Sequence, residues 1–160
     1  MSRYQVIDAI VRGIVTSDNA TKQELGRRFA YSLGLAPGPL GVDGGIDGTG
    51  VVNGSRIYFQ SKLKQQNLGA LDADIFHSGL VRCPAQIGIM LAGVGYTSPT
   101  PSNPKAGFRN RLLQFPDIDE FTIHLLTLKD LFEENGNFQV AVKDLPPLQQ
   151  LSRENWDSIR

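Results

Sequence analysis

This sequence predicts an α/β fold: a central mixed β-sheet flanked by helices on both faces. Three observations carry that expectation. Apolar residues recur at helical spacing over residues 3–15, 19–33 and 68–80. An Asn53-Gly54 pair separates two strand-like runs, and a two-residue turn with positive φ at both positions favours that dipeptide. Residues 87–94, IGIMLAGV, form a short apolar run of the kind a strand covered on both faces needs. The resulting order of helices and strands is that of a layered α/β domain. At 160 residues the chain suits one domain, 1–160, with a core of its own.

Each element has its own signal. In the first helix Tyr4, Ile7, Ile10, Val11 and Ile14 form the apolar stripe, read as core or dimer contact. In the second, Asp18 or Asn19 caps the start, Leu25, Phe29 and Leu33 are buried, and Gly34 ends it. Pro37, Gly38 and Pro39 make residues 36–40 a rigid loop. The hairpin follows, with strands over 46–52 and 55–63. If Asn53-Gly54 is the whole loop, Val52 faces Ser55 and paired residue numbers sum to 107, so Asp47 faces Gln60. Alternation puts Lys62 on the same face as Gln60. Glycines at 44, 45, 48 and 50 leave room for a bulge that would break this grouping.

The helix over 68–80 carries Leu68, Leu71, Ile75 and Phe76, with His77 near its end as a surface or cap residue. Cys83 reads as a small buried hydrophobe. Residues 96–107, with three prolines, form a loop suited to a DNA-contacting flap. A short helix over 108–115 exposes Arg109 and Arg111. A strand over 121–126 turns His124 toward a helix layer or solvent. Thr127 caps a helix running to about 135, with Asp130 at the capping-box position and Gly136 as its stop. Residues 138–142 read as an edge strand. The tail to residue 160 reads as a short polar helix in which Trp156 docks on the body or on a partner.

The charge is balanced, with 16 Lys and Arg against 16 Asp and Glu, which argues against a simple basic DNA-coating protein. The basic residues cluster at Arg27 and Arg28, from Arg56 to Lys64, and from Lys105 to Arg111, which allows a basic cleft beside the hairpin. No stretch is long and apolar enough for a membrane span. Asp8 and Arg12 interrupt any signal-peptide pattern, and the one cysteine allows no internal disulfide. A cytoplasmic protein is the expectation.

The hairpin gathers an acid, an amide and an ammonium, a set that suits phosphodiester hydrolysis. Mg²⁺ takes oxygen ligands, commonly one or two carboxylates with water and phosphate. Asp47 supplies a charged ligand and Gln60 a neutral carbonyl, while Lys62 can orient the attacking water and offset phosphate charge. With Gln60 neutral, a further carboxylate would help, and Glu24 is the one Glu before the hairpin; its ordinary alternative is a surface pair with Arg28. Asp43 has three readings: a water-mediated metal ligand, an Asx-turn residue, or a stand-in for Asp47. The Gly-rich segment DGGIDGTG is also compatible with a plain tight loop. It lacks the phosphate-binding G-x-x-x-x-G-K-[ST] pattern, and a calcium loop would need Glu where Gly54 stands.

An Asp on one strand followed by Gln-x-Lys on the next resembles the PD-(D/E)xK nuclease superfamily. GVDGGIDG followed by YFQSK is most similar to its Mrr-like restriction endonuclease branch, in which Gln replaces the usual acid. The resemblance is close over residues 43–62 and follows the order of elements over about 20–135. It implies a restriction-endonuclease-like core and a Mg²⁺-dependent DNA endonuclease, with Mn²⁺ as a substitute metal. Asp47, Gln60, Lys62 and an upstream-helix Glu, here Glu24, would form its site. Metal would be held by Asp47, Gln60, Glu24 and Asp43. DNA would be met by Lys64, Lys105, Arg109 and Arg111, and a homodimer would address two strands. The chain has no room for the separate DNA-reading domain that Mrr-like enzymes often carry. The rival expectation is a non-catalytic nucleic-acid-binding or assembly module on the same scaffold.

Overall fold

The computed structural model describes residues 2–39, 46–150, 152, 156 and 157 of the 160-residue chain. Its centre is one five-stranded mixed sheet in which the strands lie side by side in chain order. They are β1 (Ala36–Pro37), β2 (Gly48–Val52), β3 (Ser55–Lys62), β4 (Ile87–Ala92) and β5 (Thr122–Thr127). The pairs β1–β2 and β2–β3 are antiparallel, while β3–β4 and β4–β5 are parallel. Parallel neighbours need long crossovers, and helices supply them: α3 (Ala70–Arg82) between β3 and β4, and α4 (Phe108–Leu113) between β4 and β5.

These two helices cover one face of the sheet, where Tyr58, Phe76, Leu80, Met90 and Phe108 pack together. The other face is covered by α1 (Arg3–Val15), α2 (Asn19–Ser32), α5 (Leu128–Glu133) and α6 (Gly136–Val142). Ile57, Phe59, Ile89 and Leu91 meet Ala30, Leu128, Phe138 and Ala141 there. The six residues of β4 are all buried, as their unbroken apolar run requires.

Local chemistry explains most boundaries. Asp18 accepts the Thr21 N–H at 2.7 Å and starts α2. Asn53 and Gly54 have φ of 50° and 82°, which a tight hairpin needs, and β2 pairs with β3 as expected from Gly48↔Phe59 to Val52↔Ser55. Thr127 and Asp130 close the reciprocal capping box of α5.

Four expectations are corrected. Residues 36 and 37 are a short edge strand rather than loop; proline is tolerated there because an edge can spare one N–H. Residues 138–142 form helix α6, not an edge strand: Asn135 caps it, and Phe138, Ala141 and Leu145 bury one helical face. Gly136 therefore opens α6 instead of closing α5. Within the apolar stripe of α1, Ile7 is buried and Val11 and Ile14 pack on the core, while Tyr4 and Ile10 are exposed, as is Leu71 of α3. Cys83 is only half-buried, at the C-cap of α3.

Candidate active-site cleft

The edge of β3 explains why a cleft exists. β3 runs to Lys62, but β2 begins its pairing at Phe59, so residues 60–62 lack a ladder partner on that side. Asp47 fills part of the gap. Its N–H donates to the Phe59 carbonyl at 3.0 Å, although Phe59 is already the partner of Gly48. Two successive residues thus address Phe59, and Asp47 leaves the regular alternation, as at a β-bulge. Its Oδ2 accepts the Ser61 N–H at 2.6 Å and the Ser61 hydroxyl at 3.0 Å. The expected opposition to Gln60 is replaced by this contact with Ser61.

Ser61 lies on the α2 side of the sheet, where Gly26 allows the close approach: a Cβ at Gly26 would collide with the Ser61 hydroxyl and come within 3.4 Å of Asp47 Oδ1. Gln60 and Lys62 alternate to the α3 side. The Tyr58 hydroxyl donates to Gln60 Oε1 at 3.2 Å, and both side chains are buried. Because the cleft opens at the strand edge, it still collects groups from both faces. Asp47, Gln60, Ser61, Lys62 and Lys64 line a volume of about 450 Å³ together with Asn19, Lys22 and Gln23 of α2.

The charges are unevenly matched. Burial pushes the Asp47 carboxyl up to about 6, against the pull of its two Ser61 bonds. Asp47 enters no ion pair among the described residues, and both its hydrogen bonds fall on Oδ2. Lys62 and Lys64 instead share Asp72, with Nζ–Oδ distances of 3.0 and 3.2 Å. Burial works to raise the Asp72 carboxyl, but the Gly69 N–H and the two lysines outweigh it and hold it below the usual range. Burial also holds the Tyr58 phenol well above its ordinary value.

Comparison with protein-family models, curated proteins and solved structures gave no match. The functional reading therefore rests on this geometry and on the sequence.

Of the residues expected at the site, Asp47, Gln60, Lys62 and Lys64 line the cleft. Glu24 does not. Its carboxylate lies 3.5 Å from Arg27 and 3.7 Å from Arg28, and accepts the Trp156 indole N–H at 2.7 Å. One step along α2, Gln23 faces the cleft instead. Asp43 lies outside the described residues. Arg111 pairs with Asp74 at 2.6 Å on the far side of α3, Arg109 is exposed, and Lys105 lines a separate surface hollow. His77 is more enclosed than a surface residue, bonded to Asp117 at 2.7 Å and stacked on Phe115. His124 faces the helix layer and meets Asp144 at 2.7 Å.

Sequence reasoning missed Ser61, Lys22, Gln23 and Asp72. Ser61 is the middle residue of Gln-x-Lys, and Asp72 has the position of an ordinary first-turn acid. Among the described residues no three His, Cys, Asp or Glu side chains cluster to share a metal. The side-chain oxygen donors of the cleft are the Asp47 carboxylate, the amides of Asn19, Gln23 and Gln60, and the Ser61 hydroxyl. That set fits Mg²⁺, which commonly takes one or two carboxylates and completes its shell with water and phosphate. A half-buried carboxylate whose side-chain bonds fall on one oxygen, with no cationic partner among the described residues, is also a group that a bound cation would stabilise.

Proposed function

We propose that the protein is a metal-dependent DNA endonuclease of the PD-(D/E)xK type, Mrr-like in its motif and restriction-endonuclease-like in its core. One observation carries the reading: Asp47, Gln60 and Lys62 line the same cleft, even though Asp47 leaves the strand register. Three lysines in one cleft with a half-buried carboxylate and the Gln60 amide suit a phosphodiester better than a neutral substrate.

Each residue has a role in this reading. Asp47 and the Gln60 carbonyl would hold Mg²⁺, which when bound would supply a Lewis acid for the phosphate and its water. Lys62 orients the attacking water and, with Lys64 and Lys22, offsets charge building on the phosphate oxygens. Tyr58 fixes the Gln60 amide, and Ser61 fixes the Asp47 carboxylate. Glu24 has no part, because its charge is spent on Arg27, Arg28 and Trp156. Two copies related by two-fold symmetry would present two clefts to the two strands.

Supercoiled plasmid incubated with Mg²⁺, with Ca²⁺, and with an Asp47→Ala variant tests the proposal. Nicking or linearisation by the wild type with Mg²⁺ alone is expected. The second reading is a nucleic-acid-binding module on the same scaffold. It is favoured by the lone carboxylate of the cleft lining, since among the described residues no three His, Cys, Asp or Glu side chains gather to share a metal. It predicts salt-sensitive DNA binding with no cleavage under any metal.

A further inference from the structure

The three lysines of the cleft are held differently. Lys22 enters no ion pair among the described residues. Lys62 and Lys64 both reach the carboxylate of Asp72, one on each oxygen, at 3.0 and 3.2 Å. The Asp72 side chain is 9% exposed, whereas both lysine side chains are 37% exposed. Oδ2 also accepts the Gly69 N–H at 3.0 Å, which fixes the carboxylate at the first turn of α3. The anion is therefore rigid, and the two cations lean on it from the solvent side.

This arrangement has a chemical consequence. A lysine ammonium has three donors. One from each lysine goes to Asp72, and two remain on each for the cleft. A long, flexible side chain is thereby pinned at its charged end without losing its net charge. Two positive charges against one negative leave the patch attractive to an anion. Without Asp72, Lys62 and Lys64 would repel one another and spread into solvent.

We propose that Asp72 is a positioning residue of the cleft, holding the Lys62 and Lys64 ammoniums side by side so that both donate to one phosphodiester. The substrate in this statement rests on the nuclease reading above; the clamp itself rests on the ion-pair geometry. The role has a signature that simple electrostatics lacks. Removing the Asp72 charge makes the cleft one unit more positive, which by charge alone strengthens polyanion binding. Loss of positioning instead slows turnover, because misplaced groups act poorly in the transition state.

The test uses the full chain and Asp72→Asn, an isosteric change whose amide oxygen can still accept the Gly69 N–H. The lysine Nζ signals of ¹⁵N-lysine-labelled protein report the clamp directly, with Lys22 as the internal control. Signals of Lys62 and Lys64 are expected to shift and exchange faster in the variant while that of Lys22 stays put. Unchanged Lys62 and Lys64 signals overturn the proposal. In single-turnover cleavage with Mg²⁺, the variant is expected to be about 10- to 100-fold slower, with DNA binding in Ca²⁺ no weaker than wild type. Asp72→Glu, which keeps the charge, is expected to recover part of the rate. An unchanged rate in Asp72→Asn overturns the proposal. A wild type that never cleaves overturns the nuclease reading instead, and the ammonium signals then decide the clamp by themselves.

Discussion

Asp47 has a carboxyl whose proton is held more tightly in the folded chain than in the unfolded one, since burial raises it from 3.8 to about 6. Its ionisation therefore opposes folding. The cost is absent below about pH 4, grows between the two values, and is complete above about pH 6. Asp47→Asn keeps an acceptor for Ser61 and removes the charge. It is expected to be more stable than wild type at pH 7 by on the order of 2–3 kcal/mol, with the gap closing toward pH 4. Urea unfolding at both pH values checks this. Mg²⁺ at pH 7 is expected to stabilise the wild type and leave the variant unmoved. Cleavage is expected to rise with pH along a limb with an apparent pKa no higher than about 6. At the facing wall, Lys22→Ala is expected to weaken DNA binding evenly across sequences and lower the slope of log affinity against log salt by about one; titration at several salt concentrations reads it. None of these roles is visible in single letters. That Asp47 stands beside Gln60 and Lys62 in one cleft was legible, but its partner Ser61 depends on a backbone departure that the ladder count does not contain.

Helix α2 reaches the sheet because Gly26 has no side chain. Gly26→Ala sets a methyl against the Ser61 hydroxyl and Asp47. It is expected to cost about 1–3 kcal/mol and to impair cleavage, because it displaces the group that orients Asp47. Gly13 in α1 is the contrast: a Cβ there meets nothing within 4 Å. Gly13→Ala is expected to stabilise by about 0.5–1 kcal/mol without touching activity. Thermal melts of both variants, with cleavage rates, separate packing from propensity. The elements with one dominant signal were legible. Asn53-Gly54 fixed the hairpin register, the apolar run marked β4, and Thr127 with Asp130 marked the start of α5. Residues 138–142, FQVAV, misled because their alternation and β-branched valines suit a strand. Burial of Phe138, Ala141 and Leu145, with Val140 exposed, selects the helical period instead. Which face will be covered is a tertiary fact, and it outweighs local preference.

Across the whole molecule, Trp156 is tied to the cleft through α2. The Trp156 side chain is buried, donates to Glu24 at 2.7 Å, and lies under Arg27 and Arg28 with Tyr31 at its edge. Arg27 Nε in turn donates to the Gly38 carbonyl at 2.7 Å, and the Gly38 N–H donates to the Asp47 carbonyl at 2.7 Å. Trp156→Ala is expected to destabilise by about 3 kcal/mol and to lower cleavage beyond what the lost fold accounts for, measured below the melting transition. The mixed sheet with helices on both faces was legible because hairpins and crossovers leave few ways to order five strands. No helix among the described residues is long and apolar enough to cross a membrane. The contact between residues 24 and 156 was not legible, since nothing local links positions so far apart. The central claim is that the cleft at the edge of β3 holds a divalent ion. Anomalous diffraction from a crystal soaked in Mn²⁺ addresses it most directly. The account predicts a peak within coordination distance of the Asp47 carboxylate and the Gln60 carbonyl; a cleft without a peak, with Mn²⁺ bound only elsewhere, would contradict it.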